Sequence, residues 1–241
     1  MSMKMSLIKY NLSYYFRTPK CLPPLLAFMV YFGINYQTAP IGIWSNLHIA
    51  SVAVFILANW IATSFVSTEA KVQQQITRLH VKNERAFHLS KIVSILILLA
   101  PMWLVVVFFP VVTGMFPRGL QFGEILVYVI TLFLMSLLGT AMGVFFNDYL
   151  FHDAYLKLTG HIVAVLAVAI PFNVVFEDIR AVVIAYNFLP PVNFLAERFY
   201  ALGEGVFRMD LEFLIFVLWA VGYALALFAL YVITIPRLQR L

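Results

Sequence analysis

Asn59, His161 and Asn173 are polar side chains set inside long apolar runs. At membrane depth such groups are costly. They either line a substrate or ion path or hold two helices together by a hydrogen bond. Asn59 and Asn173 are therefore candidate pathway contacts. The acidic pair Glu177 and Asp178 lies at the end of an apolar run, and no carboxylate lies nearer mid-run, where a proton relay would want one. Catalytic and metal signatures are missing. The five histidines show no metal-ligand spacing, and there is no H-E-x-x-H, no G-x-S-x-G and no G-x-x-x-x-G-K-[ST]. These absences leave no candidate catalytic residue and no nucleotide loop in the chain itself.

A second pattern lies in the polar stretch 67–91. Glu69 opens it, and Val72, Ile76 and Leu79 follow at i, i+4 and i+7, with Arg78 and three glutamines on the remaining faces. A short helix with a narrow apolar stripe and a broad polar face can rest in a groove on another protein. The alternative is a plain solvated connector.

These residues are positioned by six apolar stretches, near 22–40, 46–66, 92–114, 124–146, 158–176 and 213–235. Each has the length, about 20 residues, that crosses about 30 Å of hydrocarbon as a helix. The composition agrees, at 63% hydrophobic and 11% charged, with a mean hydropathy of +0.93. The expectation is an all-α membrane protein of six transmembrane helices, one membrane domain over 1–241. No hydrophilic run is long enough for a soluble catalytic domain. Twelve of the sixteen Lys and Arg residues precede the first stretch, follow the sixth, or fill the second–third and fourth–fifth gaps. That bias predicts a multi-pass protein with both termini in the cytoplasm. The net charge of +5 then reflects the inner membrane face and its lipids, with no nucleic-acid footprint. Cys21 is the single cysteine, which excludes an intrachain disulfide.

Three further segments bear on function. Residues 1–20 carry Ile8, Leu12, Tyr15 and Phe16 along one face and Lys9, Ser13 and Arg17 along the other, an interfacial helix broken by Pro19 and Pro23-Pro24. Residues 177–212, on the outer side, hold two apolar limbs about the Pro190-Pro191 break, with Glu197 and Phe199 on the second limb. This reads as a re-entrant hairpin between the fifth and sixth spans, or else as a flat interfacial helix. Gly139 and Gly143 form a small-xxx-small pair that permits close approach of another helix.

Taken in order, these segments resemble the permease subunit of a type-2 ABC exporter. The matches are Lys4 to Pro19, Glu69 to Leu79 as coupling helix, Ile179 to Phe207 with Leu189-Pro190-Pro191, and the tail Pro236-Arg237-Leu238-Gln239-Arg240. Where many members carry a Gly-Thr-like pair after the glutamate, this chain has Val72-Gln73. The resemblance implies two permease chains, each docked through Glu69, Val72, Ile76, Arg78 and Leu79 on a separate ATPase subunit that holds ATP and Mg. It implies an exit shaped by Pro190, Pro191, Glu197 and Phe199. The cargo would be amphipathic, most readily a peptide that is exported or to which immunity is given. The rival readings are an ion-coupled secondary transporter or channel, and an integral membrane lipid-modifying enzyme.

Overall fold

A computed structural model describes residues 3–81, 84–146, 151, 153–169, 189–203, 205–207 and 209–238. The described residues are helical: α1 (Met3–Phe16), α2 (Leu22–Asn35), α3 (Ile43–Val66), α4 (Lys71–Val81), α5 (Glu84–Val112), α6 (Phe122–Phe145), α7 (Ala154–Ala169), α8 (Ala196–Leu202) and α9 (Leu211–Leu238). A 3₁₀ turn, Pro19–Cys21, joins α1 to α2. Among the described residues, four helices are long and apolar enough to cross a bilayer: Ile43–Val66, Glu84–Val112, Phe122–Phe145 and Leu211–Thr234.

Of the other two expected crossings, the first is shorter and the fifth is described only in part. The first apolar stretch is helical only from Leu22 to Asn35. It ends at Asn35, whose amide donates to Asn46 Oδ1 of α3 at 2.6 Å, and Pro40 further on is a position where a helix could not continue. Its other end is pinned by the Lys20 ammonium on the Ser67 carbonyl at 2.7 Å. With both ends tied, α2 lies antiparallel along α3. The fifth stretch is helical from Ala154 to Ala169, and residues 170–188 lie outside the described residues, so most of the first limb of the expected hairpin does too.

The α3–α6 pair is the spine, with the most extensive contact between any two described helices. Gly139 and Gly143 of α6 make it possible. A Cβ on Gly139 would stand 2.4 Å from the Phe55 carbonyl oxygen and 2.8 Å from the Ala58 Cβ. One on Gly143 would stand 2.4 Å from the Asn59 carbonyl oxygen and 2.7 Å from the Ala62 Cβ. Thr63 then reaches across, its hydroxyl donating to the Gly143 carbonyl at 3.2 Å. In lipid, helix association rests on such close packing, because the hydrocarbon around it is as apolar as leucine. The helices α5 and α9 pack against this spine.

The two ends of the bundle differ. At one end α1, the 66–71 turn, α4, the start of α5 and the last turns of α9 meet. At the other gather the N-termini of α3, α6 and α9, with α8. The stretches expected on opposite sides of the membrane are thus gathered at opposite ends.

Candidate functional site

The end that carries α1 and α4 is the candidate site. Helix α3 closes on a run of hydroxyls: Ser64 bonds the Ile61 carbonyl at 2.9 Å, Ser67 the Ser64 carbonyl at 3.1 Å, and Thr68 the Ser64 carbonyl at 2.6 Å. The latter two meet the Ser64 carbonyl, one of those that a helix end leaves without an intrahelical partner. The chain then turns, and Gln74 of α4 folds back to donate to the Glu69 carbonyl at 2.8 Å.

The Glu69 side chain points into the protein. Its Oε2 lies 3.0 Å from Lys91 Nζ of α5, with the two side chains 5% and 3% exposed. Its Oε1 accepts from Tyr10 of α1 at 3.2 Å and from Thr77 of α4 at 3.1 Å. The Lys91 ammonium also sits 4.6 Å from the centre of the Phe87 ring. A buried ion pair persists when its remaining donors and acceptors are met, and these contacts meet much of that need. One carboxylate therefore ties α4 to both α1 and α5. Burial pushes the Tyr10 hydroxyl above its ordinary pKa, further from ionising beside that carboxylate. Further bonds fix the same end. Asn11 donates to Ser90 at 3.1 Å, Tyr15 and Ser64 share a bond of 2.8 Å, and His88 Nδ1 meets the Tyr231 hydroxyl of α9 at 3.1 Å.

The inward face of α1 is Leu7, Asn11 and Tyr15, while Phe16 is exposed. This face is rotated from the expected apolar stripe, because Asn11 finds a buried partner in Ser90.

With its inner side fixed, α4 turns Val72 (68% exposed) and Ile76 (45% exposed) away from the bundle. Beside Ile76 runs a groove of about 370 Å³ between α1 and α4, lined by Leu7, Tyr10, Gln73, Ile76, Thr77 and Val81. Arg78 is engaged by Glu84 at 2.9 Å. Those of the expected coupling residues that are described are thus brought together on α4 and the turn before it, in two roles. Glu69 anchors, and Val72 and Ile76 are presented. The side chains of Leu79 and Glu197, and all of Asn173, lie outside the described residues.

At the opposite end Trp44 is fully buried among Phe199, Phe207 and Tyr128, with ring centres 5.9, 5.3 and 6.1 Å away. Its indole N–H and Arg118 Nη2 both donate to the Gly205 carbonyl, at 2.7 and 3.0 Å. Arg118 also grips buried Glu124 in a fork at 2.7 and 2.8 Å. Pro190 and Pro191 are buried, and the Asn193 amide bonds the Val168 and Ala169 carbonyls that end α7, at 2.9 and 3.2 Å. The limb carrying Phe199 is therefore seated on the N-terminal part of α3.

Between the ends, Asn59 Oδ1 accepts from His161 Nε2 of α7, and Phe146 stacks on that imidazole at 4.7 Å. The Asn59 amide nitrogen is buried with no hydrogen-bond partner among the described residues. Among the described residues no three His, Cys, Asp or Glu side chains converge as a metal site requires.

Sequence reasoning missed Lys91 as the partner of Glu69. The signal was present: a lysine at the start of an apolar helix needs an anion, and the preceding loop offers only Glu69 and Glu84. Compared with known proteins, the chain matches no family model, no curated protein and no solved structure. It is a helical, multi-span membrane protein.

Proposed function

We propose that this chain is the membrane-spanning subunit of an ATP-driven exporter of the type-2 ABC class. The observation that carries the reading is α4, held from within by Glu69–Lys91 and presenting Val72 and Ile76 outward beside the α1–α4 groove. A helix so mounted can pass a push from a docked protein directly to α5 and α1. With no P-loop in the chain, ATP and Mg would reside on a separate ATPase subunit. Two permease chains would form the path, in a bacterial plasma membrane with both termini cytoplasmic. The α8 limb at the other end would shape the exit, and the cargo would be amphipathic, most readily a peptide.

The test is recovery of the co-expressed ATPase subunit with the permease. Ile76→Asp would bury a carboxylate in the docked groove at about 3 kcal/mol or more, a loss of about two orders of magnitude in affinity. Gln75→Asp, a polar exchange on the same helix, should leave recovery unchanged. Equal recovery with both variants would refute the docking role. The His161–Asn59 pair favours a second reading, an ion-coupled carrier. That reading predicts transport driven by a proton gradient without ATP, abolished in His161→Gln.

A further inference from the structure

We propose that the wedge between α2 and α5 binds one anionic phospholipid from the leaflet at the α1 end. The two helices meet at the far end, where the Phe32 and Phe109 rings are 4.7 Å apart, Tyr36 and Phe109 are 5.4 Å apart, and the Tyr36 hydroxyl donates to the Val106 carbonyl at 3.3 Å. Below this aromatic roof they leave a groove of about 430 Å³, walled by Leu22, Leu26 and Met29 of α2 and by Pro101, Met102 and Val105 of α5. The walls are wholly apolar. The volume is that of a small-molecule pocket, while a partner helix, about 10–12 Å across, would be stopped by the roof. An acyl chain fits both the shape and the chemistry.

The open end supplies the charge. Leu22 lines the groove, and Lys20 lies two residues before it on the 3₁₀ turn, exposed, with Arg17 exposed just upstream. The Lys20 ammonium donates to the Ser67 carbonyl at 2.7 Å, which holds it in place. An ammonium has three donors, so two remain for phosphate oxygens. An apolar slot with cations at its membrane-surface end matches a phospholipid whose headgroup is anionic. This inference does not depend on the exporter reading.

The full chain is placed in nanodiscs containing equal amounts of phosphatidylglycerol and phosphatidylcholine with the same acyl chains, and the lipid retained on release is counted by native mass spectrometry. The wild type should keep one phosphatidylglycerol in preference. Arg17→Gln with Lys20→Gln should lower that preference roughly fivefold for each cation removed. Leu26→Trp with Val105→Trp, which fills the slot, should lose both lipids, and Met29→Trp serves if the double variant does not elute as the wild type does on size exclusion. No preference in the wild type, or undiminished retention in the filled variant, overturns the proposal. So does efficient disulfide dimerisation of Leu26→Cys in a Cys21→Ser background, because a second copy would then occupy the wedge.

Discussion

Adding one methyl group to the α3–α6 contact should separate the spine of the molecule. In Gly143→Ala the new Cβ would lie 2.4 Å from the Asn59 carbonyl oxygen and 2.7 Å from the Ala62 Cβ, where ordinary contact begins at 3.4 Å. The first obstacle is helix backbone, which cannot rotate aside, so α6 must retreat by about 1 Å, forfeiting a quarter to a half of the dispersion energy at each contact that opens. Overpacking of this kind costs about 1–3 kcal/mol. Losing the Thr63 hydroxyl bond to the Gly143 carbonyl adds about 0.6 kcal/mol, and the helix preference of alanine over glycine returns close to 1 kcal/mol, roughly. The net expectation is a loss of about 0.5–2.5 kcal/mol for Gly143→Ala. Gly139→Ala, which meets the Phe55 carbonyl oxygen at the same 2.4 Å, should behave alike. Gly222 of α9 is the control, because a Cβ there meets nothing within 4 Å. The assay is thermal unfolding of the purified protein in one detergent, followed by circular dichroism. Gly222→Ala should melt at or above the wild-type temperature, and the two α6 variants several degrees below. Gly143→Ala melting with the Gly222→Ala control would refute the close approach of α3 and α6.

Removing the ammonium in Lys91→Met leaves Glu69 buried without its cation and should cost about 3–5 kcal/mol; Glu69→Gln combined with Lys91→Met should restore much of this, read by the same melts. At the opposite end, Arg198 bonds Asp210 at 2.7 Å and holds its carboxyl below the ordinary 3.8. The stability from that pair is complete above the ordinary pKa and is lost as pH falls through the lowered value. The melting temperature should therefore drop more between pH 7 and pH 3 in the wild type than in Asp210→Asn. For orientation, in a Cys21→Ser background, Gln121→Cys should react with an impermeant maleimide on intact cells, whereas Gln75→Cys should react only after permeabilisation; the reverse pattern would invert every side assigned above.

The parts legible in the sequence are those whose pattern is local. The amphipathic α4 declares itself through Val72 and Ile76, and four of the expected crossings through length and apolarity. The Gly139/Gly143 motif announces a close contact, but its partner surface on Phe55, Ala58 and Asn59 is a tertiary fact. The same holds for Glu69 and Lys91, which are remote in the chain and joined only when α4 folds back on α5. The apolar stripe expected for α1 is rotated in the fold, since a hydrogen bond to Ser90 draws Asn11 inside while Phe16 is exposed. Counting apolar residues also overstated the first crossing, since apolarity runs on past Asn35, where the helix ends.

The shortness of α2 has a consequence for the surrounding bilayer. Its 14 residues rise about 21 Å, against about 30 Å of hydrocarbon, while the neighbouring α3 has 24 residues. Lipid on the α2 flank must compress or draw in shorter chains, while lipid beside the long helices keeps its normal thickness. The protein therefore sits in a lopsided elastic dimple. Where such molecules are crowded, sharing a patch of thinned bilayer lowers the total deformation, an attraction carried by membrane mechanics across intervening lipid. It weakens in bilayers of short-chain lipid and strengthens in thick ones.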